Sequence, residues 1–197
     1  MATSVLGSAA SPRAQVRGVA EALPPGERLL WEGAPAPRAI ARHLLFVRPL
    51  AAYFALMVAW WVVANLDKAG TMDFWMPVAL QLTLVSLVLA GVLGLSNWIA
   101  QSTTYAITDR RIVMRLGVIF PLTVNIPLSY VVGAQARTFT DGTGQIAVQL
   151  DQKEKLAWIV LFPHVRPWRF STPEPLLRGL TDPAEVGRVL RAATLGD

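Results

Sequence analysis

Two uncharged runs constrain this chain more than anything else in it. Pro49 to Leu66 is 18 residues without a charge, and Phe74 to Thr108 is 35. As helix the first is roughly 27 Å long, and about 20 residues of the second would cross the hydrocarbon core of a bilayer. The competing reading is a buried pair of soluble helices, but 35 uncharged residues in a chain of 197 leave no polar face for water. Composition agrees, with 53% hydrophobic and 16% charged residues and a mean hydropathy of +0.43, beyond what a soluble core needs. Two spanning helices are predicted, 49–66 and 74–100, joined by "DKAGTMD", which is too short for more than a turn.

A hairpin returns both flanks to the same side. Arg38, Arg42 and Arg48 precede the first span and Arg110, Arg111 and Arg115 follow the second, whereas the turn holds Lys68 between Asp67 and Asp73. The positive-inside bias then places both termini in the cytoplasm. Tyr53, Trp60, Trp61, Trp75 and Trp98 lie towards the span ends, as amphipathic rings do at headgroup level. Ala51, Ala55 and Ala59 recur every four residues, as do Ser86, Ala90 and Gly94. Small residues at that spacing let helices approach closely in lipid, so the stripes are expected to pack on each other or on a partner's helix.

Net charge is +5 with a pI near 10.2, but acids and bases are interspersed, and membrane orientation explains the basic flanks without nucleic acid. There is no cysteine, and His43 and His164 stand far apart, so no disulfide framework and no metal site of ordinary spacing is expected. "DGTGQIA" fits the dinucleotide pattern through Gly142, Gly144 and Ala147. That pattern must open a helix, however, and Gln145 to Leu150 alternates as a strand does. No nucleophile with a base, no suggestive carboxylate pair and no P-loop appears, so no catalytic residue, no cofactor and no enzymatic activity are expected.

Residues 1–26, rich in Ala, Ser, Gly and Pro, read as a mobile tail without the features of a secretory signal. Residues 27–48 read as an extended arm and basic juxtamembrane segment, with Arg28 to Glu32 a strand or anchored arm. From residue 101 to 197 the period turns to two. Strands are expected at Tyr105 to Thr108, Arg111 to Leu116, Leu122 to Ile126, Ala134 to Thr140, Gln145 to Leu150 and Leu156 to Phe162. "TDPAEVGRVLRAATL" reads as a closing helix capped by Asp182, with Pro183 at its first position and an apolar stripe of Val186, Val189, Leu190 and Ala193. The fold class is membrane α+β: a two-helix transmembrane hairpin followed by a cytoplasmic antiparallel β domain with a C-terminal helix. That order resembles the bacterial pleckstrin-homology fold, which alone implies no activity.

The strings "GERLLWEGAP", "YAITDRRIVMRLGV", "DGTGQIAV" and above all "FPHVRPWRFSTPEPLLRGL" are similar to the photosynthetic complex assembly proteins of purple bacteria, the PuhB family. The likeness runs from about Gly26 to Leu190. It implies a protein of the cytoplasmic membrane, inner or intracytoplasmic photosynthetic, that helps to assemble the reaction centre with light-harvesting complex 1. It also implies contacts with their subunits and with membrane lipid, a homodimer among its states, and no chemical reaction. A generic lipid-sensing or structural membrane protein of the same fold is the alternative.

Two further groups are candidate sites. Arg110 and Arg111 follow the second span and suit lipid phosphates, each basic residue near the surface contributing about 1 kcal/mol; setting topology alone is the other reading. His164, Arg166, Trp168 and Arg169 lie in a proline-stiffened loop and are of types enriched at interfaces, which makes them candidate partner contacts. The alternative is that Trp168 plugs the sheet while the arginines pair with Glu174. His43 reads as a surface residue beside Arg42, since pigment ligation needs an imidazole in a dry pocket and neither span holds one.

Overall fold

A computed structural model of the chain describes residues 23–117, 122–151, 161–166 and 173–195. The helical hairpin is inserted into a β domain instead of preceding it. Strand β1, Leu29–Gly33, comes before the hairpin and pairs antiparallel with β2, Thr104–Thr108, which comes after it, with Leu29 opposite Thr108 and Gly33 opposite Tyr105. The segment expected as a strand or an anchored arm is therefore a strand, the edge of a four-stranded sheet ordered β1-β2-β3-β4, with β3 at Arg111–Leu116 and β4 at Leu122–Pro127. Of the expected tail, residues 1–22 lie outside the described set, while Leu23 is buried against Ala106 and Val113.

Between β1 and β2 run α1, Pro37–Ala39, a π turn at Ile40–Leu44, α2, Val47–Ala64, and α3, Met72–Gln101. Both long helices are apolar and long enough to cross a membrane, and nearly all of each lies on the outside of the molecule. Leu56, Trp60 and Leu87 are each more than two-thirds exposed. Soluble core helices of this hydropathy would be covered, so the surface suits lipid and indicates membrane association. At 30 residues α3 is about 45 Å long, longer than the roughly 30 Å hydrocarbon core. Its last turns enter the domain, where Ser96, Ile99 and Ala100 are buried beside α1 and the π turn.

The small-residue stripes do not form the α2–α3 seam. Ala55, Ala59, Ser86, Ala90 and Gly94 are exposed, and only Ala51 is half-buried. The covered positions are instead Phe54, Val58 and Trp61 on α2 and Phe74, Val78, Val85 and Leu89 on α3. Trp61 and Phe74 meet with ring centroids 5.6 Å apart. Large side chains at this end hold the axes too far apart for alanine and glycine to touch, so the seam follows the bulky face and turns the small one outward.

The second sheet is ordered β5-β6-β7, from Val131–Thr138, Gly144–Leu150 and Leu176–Leu180. Strand β7 has no counterpart in the sequence reading; there the Leu-rich run is short and its Gly179 takes φ 69°. A Cβ at that glycine would stand 3.0 Å from Pro35 Cβ, and its carbonyl accepts from Ala36 N–H at 2.8 Å, so β7 closes against the stretch leading into α1. Of the expected strand Leu156 to Phe162, residues 156–160 lie outside the described set, and Leu161 is a buried core residue outside any strand. The glycines of "DGTG" turn β5 into β6. Gly142 has φ 80°, and a Cβ on Gly144 would stand 2.6 Å from Pro183 Cγ.

The two sheets share one core, including Tyr105, Ile107, Ile112, Met114, Ile146, Val148 and Leu177. Helix α4, Pro183–Leu195, inserts Val186 and Leu190, both essentially inaccessible, with Val189 and Ala193 packed beside them. Burial of a Val or Leu side chain is worth about 1.5–3 kcal/mol. Asp182 caps the helix, Oδ1 accepting from Glu185 N–H at 2.9 Å.

Candidate functional site

Three polar clusters fix the domain around the hairpin: one at the far end of the strands that flank it, and two near the junction with the helices. The first is centred on Thr108 at the end of β2. Its hydroxyl accepts from the N–H groups of Arg110 and Arg111 at 3.2 and 3.0 Å and donates to Glu27 Oε1 at 2.8 Å. Arg111 lies against the same carboxylate through two bonds, Nε to Oε1 and Nη2 to Oε2, each 2.8 Å. Burial alone would push the Glu27 carboxyl up, but hydrogen bonds from Arg111 and Thr108 outweigh it and hold the group below its ordinary value. Asp109 closes the turn, its Oδ1 accepting from Arg28 N–H at 3.0 Å.

This geometry sets the surroundings of Arg110 and Arg111, the expected headgroup contacts. Arg111 is committed to Glu27, and Arg110, though exposed, stands at the far end of β2 from α3, a strand of five residues or roughly 16 Å. The intervening strand separates the pair from the span it follows in sequence. Arg115, opposite Thr104, and the exposed Arg38 and Arg48 lie nearer the helix ends.

The second cluster is buried beneath α3. Arg178 N–H donates to Tyr105 Oη at 3.2 Å, and Tyr105 Oη lies 2.6 Å from His164 Nδ1, whose Nε2 lies 3.3 Å from Thr103 Oγ1. Burial, and then the Arg178 charge, lower the imidazole to about 3, so it is neutral at physiological pH. Burial also raises the Tyr105 phenol well above its ordinary value. The chain of donors follows: the tyrosine hydroxyl donates to Nδ1, and Nε2–H donates to the threonine. Arg178 donates to the carbonyls of Pro163 and Val165 at 3.1 and 3.0 Å, and burial lowers its basicity. His164 is 1% exposed, so its side chain anchors the described start of the proline-rich segment in the core and does not present itself to a partner. Its isolation in the sequence hid the tyrosine that satisfies it.

Arg166 pairs with Glu174 at 2.8 Å and also donates to Gln135 at 3.2 Å across the outer face of the second sheet. Its pairing with Glu174 was the plainer of the two sequence expectations. Trp168 and Arg169 lie outside the described residues.

The third cluster, which sequence reasoning missed, joins the π turn to the β5–β6 turn. Asp141 Oδ2 takes Arg42 Nη1 at 3.0 Å and His43 Nε2 at 3.1 Å, and the His43 ring stacks on Phe139 with centroids 3.8 Å apart. Hydrogen bonds from Thr143, then His43 and Arg42, hold the Asp141 carboxyl far below its ordinary range. The only sequence signal was the adjacency of Arg42 and His43, a basic pair without a visible acid.

A protein from Rhodobacter capsulatus, described as an uncharacterized 23.7 kDa protein in the puhA 5′ region, is 29% identical over 178 residues, covering 89% of this chain and 83% of that protein. No solved structure matches. Residues 45–155, more than half of the chain, match the bacterial PH domain. That match begins at the hairpin and ends at β6, and the structure completes it with β1, β7 and α4, so by sequence and by architecture the chain belongs to the bacterial PH domain family.

Proposed function

We propose that this chain is a non-enzymatic, membrane-embedded assembly factor for the purple-bacterial reaction centre and light-harvesting complex 1. The observation that carries the reading is the Rhodobacter capsulatus relative, similar over nearly the whole chain and described by its place in the puhA 5′ region. The resemblance of its strings to the PuhB assembly proteins supports it. In this reading the hairpin crosses the bilayer and both termini are cytoplasmic. Pairing of β1 with β2 supports that arrangement, because flanks joined in one sheet occupy one compartment, and the basic residues near the helix ends favour the inner one.

The protein acts as a docking platform. The hairpin confines it to the membrane plane, where its outward small-residue stripes can receive a partner helix, while the domain meets the cytoplasmic parts of the photosynthetic subunits. Arg166, Trp168 and Arg169 supply the loop contact, and His164 steadies that loop. A deletion strain is expected to hold less assembled complex while pigment synthesis continues, read from near-infrared absorbance of membranes. Normal complex levels would refute the assignment. Recovery of lipid alone with the tagged protein, without reaction-centre polypeptides, would favour a lipid-sensing role.

A further inference from the structure

Strand β5 is an edge: among the described residues it is hydrogen-bonded to β6 alone, and most of its length is exposed. Beside that edge, between β5 and α4, lies an open groove of about 590 Å³. Its origin is the choice of small residues. Ala134 and Ala136 stand opposite Val148 and Ile146, on the face that elsewhere builds the core, yet both alanines are exposed. Across from them α4 presents Gly187. Alanine and glycine leave unfilled the space that larger side chains would close. Exposed edges are normally blunted by charge, proline, a bulge or cover; over Val131–Ala136 this one has no charge and no proline, a register irregularity interrupts it between Val131 and Gly133, and among the described residues no strand pairs with its free side. The groove's charged lining residues, among those described, are Arg188 and Arg191, both exposed and both positive.

We propose that this groove binds an extended, acidic segment of a partner protein, which adds as a strand to β5 and seats alternate apolar side chains over Ala134 and Ala136. Main-chain hydrogen bonds to an edge strand supply affinity, and the pockets beside it supply selectivity. Charge decides among occupants. The chain's own first 22 residues carry Arg13 and Arg17 against Glu21, and a second copy would offer β5 itself, which holds Arg137 and no acid. Both would bring positive charge to Arg188 and Arg191, whereas an acidic partner satisfies them.

The direction of the bound segment follows from the fold, and this step rests on the membrane reading of the hairpin. The end of β5 leads into Asp141, which holds Arg42 and His43 just before α2, so the Thr138 end of the groove is the membrane end. A tail leaving the bilayer there runs opposite to β5, as an antiparallel strand. Arg188 and Arg191 stand 5 and 8 residues along from Pro183, about 8–12 Å of helix, so the acidic residues fall about two to four positions into the segment.

The test uses the full chain in detergent micelles and a fluorescent synthetic peptide of alternating valine and threonine, with aspartates in place of the threonines at its second and fourth positions. Binding is read by anisotropy. The acidic peptide should bind. Arg188→Glu with Arg191→Glu should weaken it about tenfold or more, Ala134→Phe should abolish it by filling the groove, and Arg38→Glu should leave it unchanged. N-methylation of alternate peptide nitrogens should prevent binding. Both arginines are exposed, so their replacement leaves the thermal transition in place and keeps the test valid if Ala134→Phe fails to fold. No binding, equal binding of a lysine version, or indifference to the arginine changes would overturn the proposal. Affinity that rises when residues 1–22 are removed would assign the groove to the chain's own tail and overturn it as well. None of these readouts involves photosynthetic complexes, so the groove and the assembly role fail separately.

Discussion

Arg111 and Glu27 are 84 positions apart in sequence, yet the guanidinium of one rests on the carboxylate of the other through two 2.8 Å hydrogen bonds. The whole helical hairpin lies between them. The pair therefore ties the strand that enters the hairpin to the strand that leaves it, and the Glu27 side chain is only 2% exposed.

Removing one partner of a buried pair leaves the other charge without compensation. Glu27→Ala is expected to destabilise the domain by about 3 kcal/mol, at the low end for buried pairs because Arg111 is partly exposed. Arg111→Lys should also destabilise it, since an ammonium cannot form both bonds. Denaturant unfolding in detergent checks both, and a Glu27→Ala variant with wild-type stability would show that the pair does not tie the two strands.

His164 makes stability depend on pH. Its folded value of about 3 is below the ordinary 6.5, so between these values the unfolded chain binds the extra proton. Its contribution is complete above about pH 6.5 and is lost progressively as pH falls towards 3. The melting temperature should fall across that window, and His164→Gln, less stable at neutral pH, should show a flatter profile. Equal slopes for the two proteins would contradict the buried neutral imidazole.

Asp141 latches the entrance to the hairpin. Asp141→Asn should weaken its bonds to Arg42 and His43 while the domain remains folded. The expected result is faster amide hydrogen exchange in residues 37–45 with no change in β2 or β6. High salt should partly mimic the substitution in the wild type, because the carboxylate is near the surface.

The chain has no cysteine, so single introduced thiols report topology cleanly. In spheroplasts a membrane-impermeant maleimide should label Gly70→Cys between the long helices. It should label Arg188→Cys on α4 only after lysis. Labelling of Arg188→Cys but not Gly70→Cys in intact spheroplasts would reverse the proposed orientation, and labelling of both would refute the crossing hairpin.

Where a local pattern carried the information, the sequence alone determined the outcome. Uncharged length specified the long helices, alternation specified most of the strands, and Asp182 with Pro183 marked the start of α4. Each signal lies within a few residues of its result, because helix and strand periods and end caps are local. Only the tertiary structure decided which polar groups meet. An arginine bound to Glu27 and one bound to lipid have the same sequence signature, and nothing near His164 announces Tyr105. The pairing of β1 with β2 joins residues separated by the whole hairpin, and the α2–α3 seam depends on which face holds the bulk. Such partnerships are fixed by burial and by the cost of an unpaired polar group, which exist only once distant segments exclude water from one another.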